Sequence, residues 1–136
     1  MRRYVNNPLI RSTDIPNIPP NIIDTTSVFN PGAIKFNDKI LLMLRLQNRA
    51  RETFFVMAES KDGIEFDIAN KIIEWEGLEK VKEKIYHIYD PRITQLGKEY
   101  YIMFAMDIES GCFLGLGRTT DFKKFEFLGI VSKEDN

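Results

Sequence analysis

The sequence predicts an all-β protein built from two copies of one four-stranded antiparallel unit. Three observations carry this expectation. Apolar runs of strand length, rich in Ile, Phe, Val and Met, are separated by polar turns, as in KILLMLRL (39–46) and TFFVMA (53–58). Asp62-Gly63 is a strong turn signal and the following IEFDI alternates as a half-buried strand should. The stretch from residue 29 to residue 66 reappears about sixty residues later.

Taken in order, KILLMLRL and TFFVMA form a hairpin whose loop, QNRARE (47–52), is long and basic. With the strand before them and IEFDI after them, four strands fit into residues 30–68. Setting FNPGAIKFNDKILLMLRL (29–46) over YDPRITQLGKEYYIMFAM (89–106) brings Asn30 to Asp90, Pro31 to Pro91, Asn37 to Gly97 and Met43 to Met103, at an offset of 60. AESKDGIEF (58–66) then corresponds to GRTTDFKKF (117–125), with Ser60 over Thr119, Asp62 over Asp121 and Phe66 over Phe125, at an offset of 59. The units run from about 30 to 68 and from about 90 to 129. Residues 69–89 are expected as a linker in which LEKVKEKI (78–85) forms a short amphipathic helical turn, anchored by Trp75.

A repeat of about 40 residues with four strands has the size of one β-propeller blade. A closed ring of four or more such blades needs at least about 160 residues, because two sheets cannot surround a channel. The 136 residues are therefore expected to be one partial propeller domain, spanning 1–136, that is the front of a longer protein or completes its ring by association. A smaller packing of the two units, such as a sandwich, is the other possibility.

Composition narrows the partners. With 29% charged residues, a net charge of −1 and a pI near 5.9, there is no clustered basic surface for nucleic acid or an anionic membrane. MRRYVNNPLI has two arginines but no apolar core behind them, and no run of about 18 uncharged apolar residues occurs, so a cytoplasmic location is expected. Cys112 and His87, each the single residue of its type, make too small a set for zinc, and no metal or organic cofactor is expected. Cys112 is read as a small buried hydrophobe. GLGRTT (115–120) lacks the ending of a phosphate loop and falls on a strand of the repeat.

The motifs NNPLI, SVFNPGAIKFNDKILLMLRL, the basic RAR, ESKDGIEF, YDPRI and TTDFKKFEFLG stand in an order that resembles glycoside hydrolase family 130, whose members are five-bladed propellers and mostly β-mannoside phosphorylases. The resemblance runs from Asn7 to about Gly129 and covers about two blades of five. It implies inverting phosphorolysis of a β-mannoside to mannose 1-phosphate, with inorganic phosphate as co-substrate. Inversion needs a proton for the leaving oxygen and a nucleophile on the opposite ring face. Phosphate is itself an anionic nucleophile, so one carboxylic acid suffices.

By resemblance that acid is Asp90 in YDPR, passing its proton through a sugar hydroxyl. Read alone, Asp before Pro opens a turn. Tyr89, Ile88 and Ile93 offer apolar cover that would raise its pKa, against the nearby charge of Arg92. Asn30, its repeat equivalent, keeps the turn hydrogen bond and discards the titratable group; it is expected to bind a sugar hydroxyl or merely to cap the turn. Arg45 interrupts an apolar strand and must reach water, an acid or a ligand. The resemblance places it, and Arg51 of the basic loop, against the sugar, whereas Arg49 reads as surface charge. Tyr89 is expected to stack on a sugar or to fill the core. His87 has no assigned role. Two further functional classes stay open: a sugar-binding fragment without catalysis, and a hydrolase with Asp107 or Glu109 as base. Partners are expected to be an oligosaccharide, phosphate and a second copy of the chain.

Overall fold

The computed structural model describes residues 2–131. Its strands are β1 (Ser27–Phe36), β2 (Lys39–Gln47), β3 (Thr53–Ser60), β4 (Asp67–Ile72), β5 (Trp75–Glu76), β6 (Ile85–Leu96), β7 (Glu99–Ile108), β8 (Gly111–Thr119) and β9 (Phe125–Ile130). Among the described residues helical structure is confined to 3-10 turns at Ser12–Asp14 and Leu78–Lys80. The strands make a four-stranded sheet in the order β1-β2-β3-β4 and a five-stranded sheet in the order β5-β9-β8-β7-β6. Within each repeat every pairing is antiparallel, joined by short turns.

The repeat read from sequence is a repeat of structure. Both first hairpins close with two-residue turns, Asn37-Asp38 between the Phe36–Lys39 pair and Gly97-Lys98 between the Leu96–Glu99 pair. Asn37, Asp38 and Gly97 have φ of 46°, 61° and 63°, the left-handed backbone such turns require. Later in each unit, Ser60 Oγ accepts from the Gly63 N–H (2.8 Å) and Asp62 Oδ1 from those of Ile64 and Glu65 (both 2.9 Å). Thr119 Oγ1 and Asp121 Oδ1 do the same for Phe122 (3.0 Å), Lys123 (2.8 Å) and Lys124 (3.0 Å). Those backbone donors hold the Asp62 and Asp121 carboxyls below the ordinary carboxylate range.

Alternation along the strands sorts the core into two layers. From β2 and β3, Leu41, Met43 and Phe55 face the second sheet and meet Ile102, Phe104 and Met106 of β7. Leu44, Leu46, Val56 and Ala58 point the other way, where the N-terminal segment covers them with Ile15 and Ile22. Arg45 continues the row of Leu41 and Met43 and so faces the second sheet.

Residues 69–89, expected as a linker, are mostly ordered into the sheets. β4 runs on to Ile72, Trp75–Glu76 pairs in parallel with Phe125–Glu126 at the outer edge of the second sheet, and β6 begins at Ile85. The exposed polar ANKI stretch and a two-residue strand carry too little alternation to be seen in sequence. Trp75 is buried against Phe104 and Phe125, with ring centroids 4.9 and 5.5 Å away. Of LEKVKEKI, only Leu78–Lys80 is helical. Cys112 is exposed rather than buried: it lies opposite Asp107, on the outward face of the second sheet.

Candidate active site

Asn30 and Asp90 sit at equivalent interruptions of the two innermost strands. The ladder of β1 slips between Phe29 and Gly32, and that of β6 between Tyr89 and Arg92. Each slip is a bulge around an X-Pro step that lacks one backbone donor, and it puts Asn30 (φ 42°) and Asp90 (φ 54°) in left-handed backbone that Asn and Asp tolerate best. The two bulges pack against each other. A Cβ on Gly32 would lie 3.0 Å from the Pro91 carbonyl oxygen, so glycine after Asn30-Pro31 leaves room for the second bulge.

This packing brings three of the candidate side chains together. Asn30 Nδ2 donates to Asp90 Oδ1 at 2.9 Å, and Arg45 Nη1 donates to the same oxygen at 2.7 Å. Among the described residues no hydrogen bond reaches Oδ2. The Asp90 side chain is 36% exposed and that of Arg45 16%. Burial pushes the Asp90 carboxyl up, but the Asn30 amide, the Arg45 guanidinium and the charge of Arg92 outweigh it and hold the carboxyl below its ordinary value. The elevation expected from apolar cover is therefore overturned, because a cation from the first sheet reaches across to Asp90.

Arg45 itself is held by aromatic rings. Its guanidinium carbon lies 4.1 Å from the centre of the Phe29 ring and 4.8 Å from that of Tyr89. Phe29 and Tyr89 are themselves repeat equivalents, each preceding the bulge residue. Arg45 Nε is buried without a partner among the described residues. Tyr89 is tied at its far end: its hydroxyl donates to Asp107 Oδ1 at 3.0 Å and lies 3.3 Å from Cys112 Sγ. The Cys112 contact, burial and the Asp107 carboxylate all raise the Tyr89 pKa.

Other candidates are placed apart. Arg51 lies exposed in the basic loop with φ 64°, and its side chain makes no hydrogen bond or ion pair among the described residues. The loop is shaped by Asn48, which donates to Asn21 O (3.0 Å) and Glu52 Oε2 (2.7 Å) and accepts from the Glu52 N–H (3.0 Å). Arg49 pairs with Asp24 at 3.5 Å on the surface. Glu109 lies in the turn after β7, away from the ladder that holds Tyr89. His87 Nδ1 is buried without a partner among the described residues.

Two contributors escaped the sequence reading. Phe29 was legible from its match to Tyr89. Thr53, whose hydroxyl donates to Ile88 O (2.9 Å) and accepts from Ile88 N (3.3 Å), stitches β3 to β6 beside Asp90 and carries no signal beyond strand propensity. No group of three or more His, Cys, Asp or Glu among the described residues is placed to hold a metal.

A family described as beta-1,4-mannooligosaccharide phosphorylase matches residues 3–134. The chain belongs to glycoside hydrolase family 130. A family 130 relative in Ruminococcus albus, a beta-1,4-mannooligosaccharide phosphorylase, is 26% identical over 129 residues, 90% of this chain and 36% of that protein. The 4-O-beta-D-mannosyl-D-glucose phosphorylase of Bacteroides fragilis is 31% identical over 121 residues, 78% of this chain and 30% of that protein. The chain thus spans about a third of the length of the curated relatives it matches. Among solved structures, the beta-1,2-mannobiose phosphorylase of Listeria innocua in complex with beta-1,2-mannobiose superposes with a TM-score of 0.81 at 22% identity, covering 98% of this chain and 52% of that one. At that identity the likeness speaks to the fold: the two sheets are part of the family 130 five-bladed propeller.

Proposed function

We propose that this chain carries the acid side of a β-mannoside phosphorylase site, with Asp90 as proton donor. The observation that carries the reading is the held carboxylate itself, Oδ1 fixed by Asn30 and Arg45 and Oδ2 without a hydrogen bond among the described residues. In the reaction a phosphate oxygen attacks the anomeric carbon from the face opposite the glycosidic bond. That bond breaks, and the leaving oxygen takes a proton that originates on Asp90 Oδ2 and passes through a sugar hydroxyl. The products are mannose 1-phosphate and the shortened sugar.

The ion pair with Arg45 opposes a proton on Asp90, so the ground state must change when substrates enter. A phosphate anion near Arg45 and Arg92 offsets their charge and lifts the carboxyl toward the protonated form. Asn30 and Arg45 hold mannose hydroxyls, Tyr89 contributes its ring face, and Arg51 reaches the acceptor sugar from its loop. Residues 1–136 act as one partial domain, and the remaining phosphate-binding surface is supplied by blades outside it.

The test is phosphate release from mannose 1-phosphate with a panel of acceptor sugars, for the parent chain and Asp90→Asn. Release that falls by about 10²-fold or more in the variant supports the acid role. Equal release in both removes Asp90 from the chemistry. A second reading, a sugar-binding half-site without turnover, is favoured by the Asn30 and Arg45 contacts that hold the Asp90 carboxyl below its ordinary value and so oppose the protonated acid. Mannobiose-induced NMR shifts at Asn30 and Tyr89 without phosphate release would select it. In the hydrolase alternative Asp107 would act as base only by sharing its carboxylate with the Tyr89 hydroxyl, which donates to its Oδ1 at 3.0 Å.

A further inference from the structure

We propose that Asp107 is a positioning residue: by accepting the Tyr89 phenol it fixes one of the two rings that hold the Arg45 guanidinium, and so helps to fix that guanidinium against Asp90. β6 and β7 set this up. Tyr89 lies opposite Ala105 in the ladder, and Asp107 lies two residues further along the same face, a diagonal a tyrosine can span. An ionised carboxylate only accepts, so the phenol donates to Asp107, and the Cys112 thiol is left to donate to the phenol oxygen. The ring is thus pinned at its outer end while its face meets Arg45 at 4.8 Å.

Arg45 takes its placement from the two rings it packs on, Phe29 at 4.1 Å and Tyr89 at 4.8 Å, because its own hydrogen bonding is sparse. Of the two, only Tyr89 is pinned by a hydroxyl. The arginine comes from the first sheet, only its Nη1 bonds Asp90, and its Nε has no partner among the described residues. A guanidinium without a saturated fork takes its orientation from what it packs on. The internal repeat supplies a built-in comparison. At the offset of 60, Tyr89, Asp90 and Asp107 correspond to Phe29, Asn30 and Gln47. Where the acid is absent the ring lacks its hydroxyl, and Gln47 turns instead to the Arg51 carbonyl at 3.5 Å. The hydroxyl and its carboxylate partner therefore occur only in the unit that carries Asp90.

The catalytic meaning rests on the phosphorylase reading, but the positioning is testable without sugar. The readout is the pH titration of the Asp90 carboxyl by carbon-13 NMR, assigned through Asp90→Asn. Asp90 is faced by Arg45 and Asn30 from the first sheet and by Arg92 on its own strand. Loss of Arg45 placement moves its midpoint up. Removal of the Asp107 charge alone, acting through space on a like charge, moves it down. The sign therefore separates the two effects. Asp107→Ala and Tyr89→Phe are expected to shift the midpoint upward, toward the ordinary carboxylate range. Asp107→Asn, whose amide oxygen still accepts but whose charge is gone, moves it down or leaves it near the parent and never up, and Tyr89→Phe with Asp107→Ala goes no further than either alone. Tyr89→Phe keeps the ring volume and guards against a variant that merely misfolds. A midpoint that stays or falls in both single variants, or shifts that add, overturns the proposal. An upward shift leaves the positioning intact whether or not phosphate is released, whereas equal release by the parent and Asp90→Asn counts against the phosphorylase reading alone.

Discussion

At the scale of single residues, one difference between the repeats decides the chemistry available. With Asn at 30 and Asp at 90 the two bulges share a hydrogen bond of 2.9 Å. Asn30→Asp would set two carboxyls at that contact, where both cannot ionise freely, so the pair takes up a proton at higher pH than Asp90 alone. Carboxyl NMR titration checks it, and a midpoint no higher than the parent's contradicts it. The Arg45 pairing also has a consequence for stability. Because the folded Asp90 pKa lies below its ordinary 3.8, the ionised group stabilises the fold above that pH, and the contribution disappears as pH falls through the folded value. Urea midpoints of the parent and Arg45→Met are therefore expected to converge as pH is lowered through that window; a constant gap would refute the linkage. The bulge residues were legible because both copies keep the X-Pro step. The direction of the Asp90 shift was not, since Arg92 stands nearby in sequence whereas Arg45 arrives from 45 residues away.

At the scale of elements, glycine and tryptophan explain each other. A Cβ on Gly117 would run into the Trp75 ring, and one on Gly115 into Phe104. GLGRTT is thus a strand thinned to admit two large rings. Gly117→Ala is expected to lose about 1–3 kcal/mol in urea unfolding through overpacking, and a loss below about 0.5 kcal/mol would show that the ring gives way freely. The turn before β9 makes the reverse choice. Phe122 replaces Gly63 at the repeat equivalent and holds φ 55°, a strained value for a bulky residue. Its ring is buried beside Phe36 and Tyr100, at centroid distances of 5.1 and 4.8 Å, which offsets the strain. Strands with clear alternation, β2, β3 and β7, were visible in sequence. The fourth strand was expected at IEFDI (64–68), but residues 64–66 lie in the turn and β4 runs from Asp67 to Ile72; β5 was not visible, since what makes it a strand is the neighbouring edge it completes.

At the scale of the molecule, the two sheets share a pattern but not a fate. Met43 is fully buried between them, while its equivalent Met103 is 40% exposed on the outward face of the second sheet, near Leu114 and Leu128. Met103→Lys with Leu128→Lys is expected to reduce binding of an apolar fluorescent dye while leaving the unfolding midpoint within about 0.5 kcal/mol. Unchanged dye binding would place the apolar surface elsewhere. The repeat made both sheets legible, and their order around Asp90 followed from it; what covers each face did not, because the pattern is the same for a buried and an open side. Trp75, the single tryptophan, is seated where the first sheet's Phe55 and the second sheet's Phe104 and Phe125 converge, and its strand cannot pair until β9 is in place. Its emission therefore reports the closing of that edge: in refolding, backbone circular dichroism should begin to recover before the indole signal does, and simultaneous recovery would show that the edge forms with the rest.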